Sequence, residues 1–465
     1  MSVTVSVDEL KVGMFVHLDL GWWAHPFAVS NFVVSSAEQI DTIRGLGLKS
    51  LRYSPDKSQL LPDHVAAPAL APGGPPVLDS PPPDAPAASA SPADASPTDA
   101  SPTDAPPADA RPAPRAAVAV VAPATHPLAA QRQALQQCER QYQEAGQAWH
   151  EAQRQLPRDP AAARVITEGL TRALLDKMMV EREMCVRVLS GVAGDAVAGH
   201  AMNVAVISLL MARVFGFIEG ELLDIGIGAL LHDVGKADLP ERARHFDSRL
   251  AAADHGLYRS HVALGVAQGQ RMGLSAGALT VLAQHHEMVD GSGFPGGLNV
   301  DRMSTAARVV SLVNRYDNLC NPAQSAQALT PHEALSVIFA QSRTRFDATM
   351  LNAFIRMMGV DPPGSLVQLT DERYATVVSC NSSRPLKPRV LVADPQVPID
   401  DALLLNLDGQ ADLGIRRSLK ASQLPAAVRD YLAPRPRMVY FFEPAAPLLP
   451  AQAPATASHQ AVQRA

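Results

Sequence analysis

Apolar and polar residues alternate one for one in "SVTVSVDEL", beginning at Ser2, and this period of two predicts a β-strand. "MFVHLDLGWWAHPFAVSNFVV" predicts further short strands around Trp22, Trp23 and Phe27. "SSAEQIDTIRGLGLKSLRY" predicts a helix capped by Ser36 and a returning strand near Leu51. Residues 1–61 thus predict a small α+β module. His17, Asp19 and His25 within it read as polar residues on strand edges, the alternative being metal ligands. The periodicity then stops. Residues 62–129 are dominated by Pro, Ala, Ser and Asp and carry the pentads "SPADA SPTDA SPTDA PPADA" from Ser91, which predicts an extended, disordered tether.

Spacing of three and four resumes at Leu135, Cys138, Tyr142, Ala145 and Trp149, which places one stripe along a helix. Two readings of the stripe stay open, packing on the next domain or a short dimerising coiled coil. "LPRDP" ends that helix, and a second is expected from Ala161 to about Leu189, so residues 130–190 form a helical connector. From 191 to 361 the pattern is helix after helix. "HAMNVAVISLLMARVFG" stops at Gly216, "ELLDIGIGALLHD" is apolar enough to be buried, and "STAARVVSLVNRYDNLC" is closed by Asn321-Pro322. Beyond Pro362 alternation returns in "GSLVQLTDERYATVVSC" and "PRVLVAD", predicting a β-rich C-terminal appendage over 362–445, with a disordered tail over 446–465. The fold class expected is mainly α.

Across 465 residues, hydrophobic residues make up 47%, aromatics 5% and charged residues 18%, a profile suited to an Ala-rich helical protein. A net charge of -6 gives no electrostatic reason to expect nucleic acid or an acidic membrane as partner. The cysteines Cys138, Cys185, Cys320 and Cys380 form no CxxC pair, so reduced thiols in a cytoplasm are expected. The N-terminus meets charge too early for a signal peptide, and no run approaches the roughly 18 consecutive apolar residues of a membrane span. A soluble protein is expected.

The polar residues of the helical core carry the chemistry. In order they are His200, His232 followed by Asp233, His261, His285 and His286, then Asn314 with Asp317 one turn on. His200 begins one helix and His232-Asp233 ends the next. Antiparallel helices with a short loop are expected to put these groups at opposite ends, so spacing alone does not assemble a cluster. Chemistry favours one: imidazoles with a carboxylate are preferred ligands of first-row transition ions, and this set is large enough for two. Two ions close together can clamp both oxygens of an in-line phosphate displacement. Taken singly, His200 and His261 read as core or helix-end histidines, and His245, His255 and His332 as solvent-facing. "HDVGK" is the stronger signal, because an imidazole and a carboxylate end an apolar helix and need a partner if buried. Lys236 can meet a phosphate oxygen or simply complement a helix C-terminus. In "HHEMVDGSGFPGGL", from His285, the glycines permit close backbone approach. The loop therefore lines a site or makes an ordinary helix connection, and the other histidines favour the site.

The ordered set "H…HDVGK…LP…H…HHE..DGSGFPGGL…YDNL" resembles the HD-GYP family of bacterial phosphodiesterases, a branch of the HD metal-dependent phosphohydrolases, over roughly 174–360. The first segment is similar to the module of unknown role that precedes many HD-GYP domains. The resemblance implies an all-helical core, iron or manganese as cofactor, and hydrolysis of cyclic di-GMP to pGpG or GMP, lowering a second messenger. It implies His200, His232 and Asp233 on a first metal, with Asn314 at the family's final aspartate. Asp233 would bridge to a second metal on His261, His285 and His286. Asp233 and Lys236 would be catalytic, Lys236 steadying the phosphate. Asp290, Gly291, Gly293, Phe294 and Pro295 would form the substrate loop, which could also meet partner signalling proteins; Phe294 stands where tyrosine is usual. Three departures stand out. Asn314 replaces an aspartate, which Asp317 might replace in turn. Ala196 replaces a glutamate needed for a third metal, so two divalent ions are expected. "CNPAQ" replaces a basic run after α-helical "YDNL". Two rivals remain, a degenerate domain that binds nucleotide or protein without turnover and an HD hydrolase of another nucleotide.

Overall fold

The computed structural model describes residues 3–18, 31–34, 36–58, 127–180, 184–189, 195–245, 251–341, 343–381 and 383–445. Trp22, Trp23, Phe27, Asp19, His25, the pentads and the C-terminal tail lie outside the described residues. In the N-terminal module, β1 (Val3–Ser6), β2 (Phe15–His17), β3 (Asn31–Val33) and β4 (Ser50–Tyr53) form an antiparallel sheet in the order β1-β4-β2-β3. Helix α1 (Ala37–Gly45) begins where Ser36 accepts the Gln39 amide, as its sequence predicts. Val7, Val16, Ile43 and Leu51 fill the small core. His17 bonds Ser54 Oγ through Nε2 at 2.7 Å, a structural contact at a strand end.

The helical core is built from α2 (Pro127–Gln155), α3 (Pro160–Val180), α4 (Ala196–Val214), α5 (Glu219–Leu231), α6 (Ala252–Met272), α7 (Ala276–Gln284), α8 (Thr305–Cys320), α9 (Pro331–Gln341) and α10 (Ala348–Met358). Helix α4 is apolar nearly all round because it runs through the centre, packed on α5 and α8. By length and mean hydropathy it would pass as a membrane span, although His200, Asn203, Ser208 and Arg213 interrupt its apolar run as the sequence predicts. Yet 72% of its apolar window is buried inside the fold. The stripe on α2 resolves in favour of packing: Cys138, Tyr142, Ala145 and Trp149 are buried in this same core, and Trp149 Nε1 donates to Leu230 O at 2.9 Å.

One segment departs from its expected helix. Helix α3 ends at Val180, and Met184–Val188 is a strand, β5. The "MCVRV" run is too short for periodicity to decide, and its conformation is fixed by partners remote in sequence. After the core come β6 (Leu366–Leu369), β7 (Tyr374–Asn381), β8 (Arg389–Val392), β9 (Leu405–Asn406), β10 (Ile415–Leu419), α11 (Ala426–Leu432) and β11 (Tyr440–Pro444). The sheet runs β10-β6-β7-β5-β11, with β8 on β7 and β9 on β8, so its strands come from both sides of the helical core. Arg187 on β5 and Glu443 on β11 form a buried ion pair at 2.6 Å, and Arg389 adds a second contact to Glu443 at 3.3 Å. Strand β11 packs on α4 and α2. That contact brings the chain just before β11 to the N-terminal end of α4.

Candidate metal centre

His200 lies in the second turn of α4 and His232 caps α5. The two helices pack as a hairpin, and each histidine lies about fourteen residues, roughly 21 Å at the helical rise, from the turn between them. The start of the first helix therefore sits beside the end of the second, the reverse of the sequence-based expectation. His200 Nε2 is 3.1 Å from His232 Nε2. Asp233 follows at the start of the 3-10 turn Val234–Asp238. Gly235 lets that turn press on α6: a Cβ there would come within 2.1 Å of His261 O and 2.4 Å of the Gly265 amide. This close approach carries Asp233 to His261. Helix α7 ends at His285, which places His285 and His286 opposite.

Four ring orientations are fixed from behind. His232 Nδ1 lies 2.8 Å from Ala229 O, His285 Nδ1 lies 2.8 Å from Leu282 O, and His261 Nδ1 bonds Tyr258 O. His200 Nδ1 lies 2.6 Å from the Asp317 carboxylate. Carbonyls and carboxylates only accept, so each Nδ1 carries a proton and each ring turns its Nε2 inward. The inward atoms meet in pairs, His200 with His232 at 3.1 Å and His261 with His285 at 3.2 Å. Two neutral rings facing one another at that distance set lone pair against lone pair, which a cation lying among them relieves. Asp233 stands between the pairs: Oδ2 is 3.4 Å from His232 and 3.6 Å from His200, and Oδ1 is 3.5 Å from His261. Buried Oδ1 has no hydrogen-bond partner among the described residues. Two groups able to hold a metal ion follow, His200–His232–Asp233 and Asp233–His261–His285–His286, sharing the one carboxylate. The donors present fit divalent metal.

Electrostatics keep these donors available. Burial works to raise the Asp233 carboxyl, but the Lys236 ammonium and the His232 and His200 imidazoles outweigh it and hold it well below the usual carboxylate range. Burial pushes His261 down to about 4. His285 and His286 lie well below the usual imidazole range through burial and their imidazole neighbours. At neutral pH these three rings are therefore uncharged ligands.

Lys236 Nζ is 2.6 Å from Asp233 Oδ2 and 5.3 Å from the centre of the Tyr258 ring. The loop after α7 is held by Glu287, whose buried carboxylate accepts from the Gly296 amide at 2.6 Å and the Leu298 amide at 2.8 Å. Gly293 lies against backbone, for a Cβ would reach 2.4 Å from the Met288 amide and 2.6 Å from His286 O. Phe294 stacks on His286 with centroids 4.5 Å apart, and the Arg259 guanidinium lies over the Phe294 ring, 4.9 Å from its centre. The loop thus lines the His286 side through Gly293 and Phe294. Asp290 instead turns to Ser292, accepting from its amide and hydroxyl, and Pro295 is exposed.

Asn314 and Asp317 behave differently from expectation. Asn314 is buried, with Oδ1 accepting from Asn318 Nδ2 at 2.5 Å. Asp317 lies in neither of the groups able to hold a metal ion. Its Oδ2 takes His200, while Oδ1 accepts from Asn203 at 2.8 Å and Asn321 at 2.9 Å. It acts through His200. Glu287, Tyr258, Asn203 and Asn321 were not legible as contributors; the "HHE" triplet held the one signal, a carboxylate beside a glycine-rich loop.

Comparison with known proteins agrees with this geometry. Residues 2–164 match a domain of unknown function, DUF3391, and residues 191–350 match the HD domain. The chain is 30% identical over 222 residues to "Cyclic di-GMP phosphodiesterase PA4108" of Pseudomonas aeruginosa, covering 46% of this chain and 52% of that one. It is 31% identical over 150 residues to "Cyclic di-GMP phosphodiesterase response regulator RpfG" of Xanthomonas campestris, covering 32% and 39%. It is 26% identical over 195 residues to "3'3'-cGAMP-specific phosphodiesterase 2" of Vibrio cholerae, covering 40% and 37%. The chain spans about half the length, or less, of these relatives. The chain thus carries an HD domain, in which the paired histidine groups, the shared Asp233 and the glycine-rich loop lie, with a DUF3391 domain ahead of it.

Proposed function

We propose that this protein is a metal-dependent phosphodiesterase that hydrolyses cyclic di-GMP to pGpG or GMP in the cytoplasm. The observation that carries the reading is the convergence of inward Nε2 atoms on Asp233, whose Oδ1 is buried without a partner. His200, His232 and Asp233 would hold one ion, and Asp233, His261, His285 and His286 a second, iron or manganese. Divalent ions so held supply Lewis acidity toward a phosphate ester. The chain's own part is positional. Asp233 ties the two histidine groups together, Lys236 beside it offers an ammonium to a phosphate oxygen, and Phe294 steadies the ring of His286. The names of the similar proteins support a cyclic dinucleotide as substrate and include both cyclic di-GMP and 3'3'-cGAMP.

A low-activity or binding-only variant of the same site is the second reading. It is favoured by Asn314, a neutral amide already engaged with Asn318, where the resemblance expects an aspartate. One experiment separates these. Chain purified without oxygen is assayed for metal per chain, and loss of cyclic di-GMP and of 3'3'-cGAMP is followed with product identification. Two metals and release of pGpG or GMP are expected, with Asp233→Ala losing both. Cleavage of 3'3'-cGAMP alone would move the substrate, and metal loading without cleavage of either would favour the binding module.

A further inference from the structure

A cleft of about 190 Å³ opens beside His200, with no residue of the glycine-rich loop among its walls. Tyr142, Asp195, His200, Arg435, Arg437 and Met438 are among its walls. The two arginines come from the "APRPRMVY" segment that leads into β11, more than 230 residues after His200 in sequence. That segment is fastened to the metal-binding machinery itself. Asn203 and Asn321 both donate to Met438 O at 2.9 Å, the Met438 amide donates to Asn321 Oδ1 at 2.8 Å, and the Tyr440 amide donates to Asn203 Oδ1 at 2.7 Å. The same two asparagines donate to Asp317, which holds His200. The Arg-Pro-Arg run is thereby set against the His200 group by a hydrogen-bonded frame.

The guanidinium groups themselves are uncommitted. Among the described residues neither Arg435 nor Arg437 makes an ion pair or a side-chain hydrogen bond, while most other arginines of the core do. Asp195 shares the cleft but is already engaged, capping α4 through the Val197 amide at 3.2 Å and lying 3.9 Å from His150. Arg437 also acts electrostatically near the centre: His245 is held below the usual imidazole range by burial, then by Lys236 against the opposing pull of Asp233, and by Arg244 and Arg437. The loop after α8 offers no cation of its own, since Asn321 of "CNPAQ" serves the frame.

Two guanidinium groups without a partner among the described residues, carried on a backbone anchored next to a hydrolytic centre, suit a phosphate, which arginine binds through paired N–H donors. The cleft is smaller than the roughly 300–1,000 Å³ that encloses a whole drug-sized ligand. It holds one anionic group. We infer that Arg435 and Arg437 form an anion subsite for the phosphate of the substrate that is not being cleaved, so that the protein selects substrates carrying two phosphates. This inference rests on the phosphodiesterase reading above for the identity of the substrate. It adds a recognition role for a segment outside the matched HD domain.

The test uses the full chain and its Arg435→Gln/Arg437→Gln double variant. Two readouts are compared: the Kd for cyclic di-GMP after metal is stripped with EDTA, and the ratio of kcat/KM for cyclic di-GMP to that for bis(p-nitrophenyl) phosphate, a diester with one phosphate. The expected result is a Kd weakened about ten-fold or more and a ratio lowered to match, the scale of losing charge-assisted hydrogen bonds. Metal content should stay at the parent value. An unchanged Kd, or equal losses on both substrates, would overturn the subsite while leaving the phosphodiesterase reading intact. Arginine-dependent binding of cyclic di-GMP without hydrolysis would sink the enzyme reading and uphold the subsite.

Discussion

At the scale of the residue, Asp317 fixes a candidate metal ligand while lying outside both groups able to hold an ion. Its contact with His200 Nδ1 at 2.6 Å fixes the ring and makes the opposite nitrogen a better donor. Asp317→Asn keeps the volume and removes the charge. It should weaken metal on the His200 side by about 10- to 100-fold, as loss of such partners does elsewhere. The His261–His285–His286 group should keep its affinity. Chelator competition read separately for each ion checks this, and equal loss of both ions would show a general collapse. Asn314→Asp tests the neighbouring departure. A carboxylate there adds anionic oxygen where α8 now offers an amide, so occupancy and turnover at limiting metal should both rise. If they do not move, the asparagine is neutral and the binding-only reading loses its support.

At the scale of the element, the glycine-rich loop hangs on one side chain. Glu287 accepts two backbone amides from inside the fold. Glu287→Ala would leave both amides unpartnered, at a cost of about 2 kcal/mol or more. The expected reading is faster hydrogen exchange at Gly296 and Leu298, with the exchange of α4 amides unchanged. Protection retained at those two amides would show that the loop is held by other means. The candidate ligands and the helices that carry them are legible in the sequence, because periodicity and the adjacent His232-Asp233 and His285-His286 are local, whereas the pairing of His200 with His232 and of His261 with His285 is not. Strand β5 is not, since five residues of "MCVRV" take their conformation from β7 and β11, far along the chain. The same distance hides Asn203 and Asn321, which read as ordinary helix and helix-end amides until Met438 is placed between them. The hairpin of α4 and α5 was legible in principle; equal spans from the turn to His200 and to His232 already put both at one end.

At the scale of the whole molecule, the buried histidines link metal, acid and stability. His261 has its proton affinity lowered to about 4 by burial, against about 6.5 in an unfolded chain. Above pH 6.5 neither state is protonated and nothing is lost. Below it the unfolded state takes up protons that the folded state refuses, so stability falls as pH drops from about 6.5 to about 4, by up to about 3 kcal/mol for this ring alone. His285 and His286 act in the same direction. Chemical denaturation of EDTA-stripped chain at pH 7 and pH 5 should therefore show a clear loss at pH 5, and a flat profile would mean the rings are solvated. The late arrival of Met438 and β11 has a consequence in time. Their hydrogen bonds to Asn203 span 235 and 237 residues. At 5–20 residues per second a ribosome needs roughly 12 to 47 seconds to cover that interval. Until it ends, whatever ligands on α4 to α8 have been made lack the Met438 part of the frame beside His200. A nascent chain stalled just short of Met438 should hold metal tightly at His261, His285 and His286 and only loosely at His200. Tight loading at both groups in such a chain would mean the frame is dispensable. Birth of the centre is thus stepwise, and its last partner is among the last parts of the described chain to be made.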